Sequence, residues 1–217
     1  MIGLDLAIQG LHKTYPGAEH PVFKGLDLTV SAGTLCALVG MSGVGKTTLL
    51  NCVAALDRWD AGAITLGGKP VPQADPTAGS LWRRHHIGLA FQSPHLLPEF
   101  TVRENLSLPL LAEGPVTDAH ESWITHLLTT VGLADLGARY PSQLSGGQAA
   151  RVGLVRALVR KPGLWLLDEP TGNLDPETAE EVFGFLLKLH GELRPTTLIV
   201  THNPDLAARC ERTVRLG

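Results

Sequence analysis

The sequence predicts an α/β fold with a mostly parallel core sheet, an antiparallel β subdomain at the N-terminus and a helical subdomain inserted in the core over about residues 93–160. Apolar strands alternate with helical patterns on either side of that insertion, and strand–helix–strand crossovers make a sheet parallel. The N-terminal part instead holds alternating strands and a diglycine turn, the marks of antiparallel hairpins. The block at about 93–160 reads as successive helices.

Residues 4–8 and 26–30 ("LDLTV") alternate apolar with polar and read as half-buried strands joined through the turn-rich "YPGAEHP". "TLCALVG" is a buried strand that runs into "MSGVGKTTLLNCVAAL", a glycine loop and then a helix. "GAITLGGKPV" forms a hairpin with Gly67 and Gly68 near its turn, and "HIGLAFQ" is a short strand. "TVRENLSLPLLAEG", "DAHESWITHLLTTVGL" and "LSGGQAARVGLVRAL" are helical. Pro162 and Gly163 stop the last of these; the strand "LWLLDEP", a helix over about 177–190 and the strand "TTLIVTH" follow.

At 217 residues, with 44% hydrophobic and 18% charged residues, the chain is long and apolar enough for one domain with a sizeable core, and an ordered globular protein is expected. The net charge of -3 leaves no basic footprint, so nucleic acid is not expected as a partner and any anion must be held locally. Cys36, Cys52 and Cys210 are odd in number and lack metal-ligand spacing, which implies free thiols in a reducing compartment. The N-terminus lacks the basic-then-apolar pattern of a secretory signal, and no apolar run nears the ~20 residues needed to span a bilayer. Work at a membrane would therefore need another subunit.

"GMSGVGKT", residues 40–47, places two glycines, a lysine and a threonine at the spacing of a phosphate-binding loop, between a strand and a helix. Gly40, Gly43 and Gly45 let backbone N–H groups turn inward around a phosphate; the helix that begins there adds its positive end. Lys46 would reach the β- and γ-phosphates and Thr47 would place its hydroxyl on Mg²⁺, with Met41, Ser42, Val44 and Thr48 completing the contact surface. The expected ligand is therefore a nucleoside triphosphate, and the expected fold that of a P-loop NTPase. In "LWLLDEP" an apolar strand ends in two acids: Asp168 is placed to hold Mg²⁺, and Glu169 to orient and polarise a water for attack on the γ-phosphate.

Ser145, Gly146 and Gly147 stand ahead of an amphipathic helix, where one N-cap residue would suffice. "LSGGQ" (144–148) resembles the signature of the ATP-binding cassette (ABC) family. The resemblance spans nearly the whole chain and implies that two cassettes pack head to tail around two Mg-ATP. The signature of one, Ser145, Gly146, Gly147 and Gln148, then closes over the γ-phosphate held by the other, the glycines permitting close backbone approach. It further implies that Tyr15 stacks on adenine and that Gln92 senses Mg²⁺ and the attacking water. Asp175 of "GNLD" (172–175) would act across the dimer interface, and His202 would contact the γ-phosphate. Glu169, His202, Gln92 and Lys46 form the implied catalytic set, and Thr47, Gln92 and Asp168 the implied metal set. The other eight histidines read as surface residues.

"LLPEFTVRENLSLPLLAEG", "ALDRWDAGAITLGGKPV" and "DEPTGNLD" are similar to cassettes of lipoprotein-release, macrolide-export and cell-division complexes. That resemblance implies an ATPase, peripheral on the cytoplasmic face of the inner membrane, paired with a second cassette, most simply as a homodimer, and with integral membrane permease subunits. An ATP-dependent scaffold of a cell-division-type complex, and a soluble cassette acting on DNA or ribosomes, are the alternatives. Ala149 and Ala150 depart from the polar residues that usually follow the signature, and Gly153 lies inside the helix, where it costs about 1 kcal/mol against alanine. With 15 residues after His202, no further C-terminal dimerisation domain is expected.

Overall fold

The computed structural model describes residues 3–73 and 75–217. Its elements run β1 (Leu6–Lys13), β2 (Phe23–Val30), β3 (Leu35–Val39), α1 (Lys46–Val53), β4 (Ala61–Leu66), β5 (Lys69–Pro70), α2 (Pro76–His86) and β6 (Ile87–Ala90). Then come α3 (Val102–Leu111), α4 (Asp118–Thr130), α5 (Gly146–Leu158), β7 (Leu164–Asp168), α6 (Pro176–Leu193), β8 (Thr196–Val200), α7 (Pro204–Ala208) and β9 (Arg212–Arg215). The chain forms two compact units: residues up to Gly88 with 162–168 and 194–217, and residues 89–161 with 169–193.

The first unit is built on two sheets. An antiparallel one has the order β2-β1-β4-β5; a second has the order β6-β7-β8-β3-β9, in which β7–β8, β8–β3 and β3–β9 all pair in parallel. Leu35 to Leu38, Leu164 to Leu167 and the whole of β8 are buried, the unbroken apolar strands of a sheet covered on both faces. Helix α1 packs on β7 and β8. The expected α/β class, parallel core and antiparallel N-terminal sheet are all present.

The first strand runs well past the expected residue 8. The register of β1 slips between Ile8 and Leu11, with Gly10 at φ +54°, and this bulge breaks the alternation that marks a strand in sequence. Helix α2 was not expected, because it buries only Gly79 and Trp82; its legible signal was the cap, Asp75 accepting from the Thr77 N–H with Pro76 at the first helical position.

In the second unit α3, α4, α5 and α6 pack together through Leu106, Leu110, Ile124, Leu127, Val152, Val155, Phe183 and Leu186. His190 of α6 is buried and corrects the reading of it as a surface histidine. Gly153 gains a reason too, since a Cβ there would lie 2.8 Å from Cβ of Pro94.

Candidate functional site

Strand β3 ends at Val39 and the chain bends through Gly40, Gly43 and Gly45, at φ +155°, +80° and +102°. The last is the N-cap of α1 and has no side chain to accept from the first-turn N–H groups; no acidic residue follows in that turn. Those donors and the helix dipole therefore face the loop without a neutralising side chain. Lys46 is only 6% exposed and donates to the carbonyls of Gly40 and Met41, each at 2.9 Å, so its ammonium lies inside the loop. Met41, Ser42 and Gly43 form the exposed rim, Val44 and Gly45 are half-buried, and Thr47 and Thr48 begin the helix.

Level register brings further groups to the same edge. Val200 pairs with both Asp168 and Leu38, so β7, β8 and β3 end together, at the carboxyl edge where parallel sheets bind ligands. There the Thr47 hydroxyl donates to Oδ2 of Asp168 at 2.8 Å. This oxygen pair suits a hard divalent cation of the kind that takes one or two protein oxygens and completes its shell with phosphates and water. Among the described residues no group of three or more acidic, His or Cys side chains would cage a metal unaided. His202 follows β8 and shares the lining of a cavity of about 630 Å³ with Gly40, Met41 and Val44. Tyr15 reaches α1 through its hydroxyl, 3.3 Å from Oγ1 of Thr48.

The remaining expected residues lie in the second unit. Glu169 has φ +48°, a left-handed conformation that costs a non-glycine residue about 1–3 kcal/mol, and the Gly172 N–H donates to its carbonyl at 3.0 Å. Gln92 donates from Nε2 to Oδ1 of Asn173 at 2.8 Å. A Cβ on Gly172 would lie 3.1 Å from both that Nε2 and Oε2 of Glu169, so this glycine lets the two side chains converge. Neither Gly172 nor Asn173 was singled out in the sequence, although both lie in "GNLD".

Asp175 accepts from the Thr178 N–H at 3.0 Å, and hydrogen bonds from Thr178 hold its carboxyl below the usual carboxylate range. At α5, Ser145 Oγ accepts from the Gln148 N–H at 3.3 Å while the Gln148 side chain accepts from the Ser145 N–H at 2.9 Å, a reciprocal cap. A Cβ on Gly147 would come 2.3 Å from Cγ2 of Thr178; on Gly146 the nearest atom would be 3.9 Å away. Gly147 thus has a reason inside the chain, and Gly146 has none there.

Residues 23–172 match the family described as ABC transporter. The chain belongs to this family. As such it is the ATP-binding, ATP-hydrolysing subunit of a transporter. The cassette is 44% identical to the lipoprotein-releasing system ATP-binding protein LolD of Ruegeria sp. (strain TM1040), across all of this chain and 96% of that protein. It is 45% identical to LolD of Geobacter metallireducens, over 97% of this chain and 95% of the relative. Among solved structures it resembles the dimeric post-hydrolysis state of the ATP-binding cassette MJ0796 bound to ADP and Pi, with a TM-score of 0.86 and 32% identity over 97% and 94% of the two chains. CbiO1 from Clostridium perfringens, part of the cbiONQ transporter complex, superposes with a TM-score of 0.88 at 27% identity over 97% and 84%. Among the described residues of the cassette, no helix is long and apolar enough to cross a membrane.

Proposed function

We propose that this cassette drives a permease of the lipoprotein-release type from the cytoplasmic face of the membrane, as one of two head-to-tail copies that close on two Mg-ATP. It acts as a single nucleotide-binding domain with an inserted helical part. The observation that carries the nucleotide reading is the hydrogen bond from Thr47 to Asp168, next to a loop whose lysine already points inward. The LolD relatives, matched along almost their whole length, support the lipoprotein-release assignment.

In this reading the loop from Gly40 to Thr48 wraps the phosphates, Lys46 bridges the β- and γ-phosphates, and Tyr15 stacks on adenine. Mg²⁺, held by Thr47, Asp168 and Gln92, would neutralise charge building on the transferred phosphate. Glu169 accepts a proton from the attacking water and aligns it in line with the leaving oxygen; Gln92 orients the same water, and His202 steadies the γ-phosphate. Ser145, Gly146, Gly147, Gln148 and Asp175 serve the nucleotide held by the second copy, where the positive end of α5 meets γ-phosphate charge.

Glu169→Gln keeps the shape and removes the base. Turnover of that variant is expected to fall by ~10²–10⁴-fold while Mg-ATP binding persists and a closed dimer accumulates on size-exclusion chromatography. Turnover at the parent's rate rejects the assignment. Copurification from native membranes identifies the permease, and a permease of another type argues against the lipoprotein-release reading.

A further inference from the structure

Tyr15 lies on the turn after β1 with its side chain partly in solvent, 40% exposed. The backbone closes that turn through the Ala18 N–H and the Tyr15 carbonyl, 3.0 Å apart, which leaves the direction of the ring to side-chain contacts. The phenol donates to Oδ2 of Asp57 at 2.8 Å. The other oxygen of Asp57 accepts from Nζ of Lys13 and from the Arg58 N–H, both at 2.7 Å. Lys13, 6% exposed, also donates to the Arg58 carbonyl at 2.7 Å and places its ammonium 4.4 Å from the centroid of the Tyr15 ring.

Every polar end of this cluster is thereby used. A buried ammonium requires an anion, and Asp57 provides it. Burial lowers the pKa of Lys13, but the hydrogen bond and charge of Asp57 outweigh it and the pKa is raised. For Asp57 burial works the other way and is likewise outweighed, by the bonds from Lys13, Tyr15 and the Arg58 N–H, so the pair is ionised at neutral pH.

We propose that Asp57 and Lys13 are positioning residues that hold the Tyr15 ring as a ready platform for the adenine base. The inference rests on the reading of Tyr15 as the adenine-stacking residue. The ammonium occupies one face of the ring by a cation–π contact, so a base stacks on the opposite face. Thr48 belongs to the phosphate-binding helix, so its proximity to the phenol sets the platform at a fixed reach from the phosphate loop. A ring already fixed loses little rotamer freedom when the nucleotide binds, and affinity gains accordingly.

Calorimetric titration of the full chain with Mg-ATP and, separately, with Mg-tripolyphosphate tests this, because the second ligand fills the phosphate loop and has no base. Asp57→Asn and Tyr15→Phe are each expected to weaken Mg-ATP by about tenfold, and their combination by no more than either alone. Tripolyphosphate affinity is expected to stay within about twofold of the parent. If Tyr15→Ala weakens ATP and the two conservative variants do not, the positioning role is overturned while the stacking role stands. If Tyr15→Ala also leaves ATP binding unchanged, the stacking role falls and the inference with it. A parallel loss of tripolyphosphate affinity in Asp57→Asn, where Tyr15→Phe shows none, assigns Asp57 to the phosphate loop and overturns the proposal.

Discussion

The phosphate loop and the signature helix both rely on glycines beside a helix N-terminus, but for different physical reasons. In the loop, Gly40, Gly43 and Gly45 adopt positive φ angles that side chains resist, so the backbone path itself demands them. In the signature, Gly146 and Gly147 are the first residues of regular helix and need no such freedom. Gly147 is there for volume, because Thr178 of α6 occupies the space that a methyl group would take. The loop is specified by dihedral angles, the helix end by the space its neighbour leaves.

The largest effect is expected at Gly45, where both demands coincide. Its φ is +102° and an added Cβ would lie 2.4 Å from Cγ1 of Val22. Gly45→Ala is expected to cost about 1–2 kcal/mol in backbone strain and about 1–3 kcal/mol in overlap, and to abolish nucleotide binding. Adding Val22→Ala removes the closest overlap and leaves the backbone strain and the 3.0 Å approach to the Phe23 ring, so thermal denaturation of the double variant should show partial recovery; complete recovery would mean that the backbone path does not demand glycine at this position. Gly147→Ala comes next, at about 1–3 kcal/mol from overlap alone. Here Thr178→Ser, which deletes the offending methyl and keeps the hydroxyl near Asp175, should restore stability in urea titrations to within about 0.5 kcal/mol. Failure of that rescue would mean that the helix end, too, is constrained by its backbone.

The smallest change in stability is expected at Ser145. Alanine there removes the acceptor for the Gln148 N–H, at about 1 kcal/mol, whereas aspartate replaces it and should hold stability within a few tenths of a kcal/mol. In the proposed head-to-tail dimer aspartate would also bring a negative charge toward the γ-phosphate held by the second copy, so Ser145→Asp should be as stable as the parent and yet hydrolyse ATP slowly. Parent-like turnover would remove the signature from the composite site.

The elements that position the site were legible because their patterns are governed by local physics. The glycine loop between a buried strand and a helix, and the acids closing "LWLLDEP", correspond to β3, α1 and β7 within a residue or two. What escaped was set by partners distant in sequence. The bulge in β1 hides the second half of that strand from any test of alternation. Helix α2 covers little apolar surface, and β9 is a short strand defined by its pairing with β3. In the site, Asn173 and Gly172 owe their importance to Gln92, some 80 positions earlier, and no spacing rule links them. The signature pattern points Gly147 toward a second copy, whereas the packing of Thr178 in the same chain already leaves no room for a side chain there.

Glu169, in its left-handed turn, carries an evolutionary implication. Glycine or asparagine would take that φ at lower free energy, so folding by itself pushes against glutamate at this position. On the proposal that Glu169 orients the attacking water, a demand for hydrolysis opposes that push. In a lineage that kept nucleotide-driven assembly and gave up turnover, residue 169 would be among the first to drift, and a glycine or asparagine there in a sister chain would mark a lost activity.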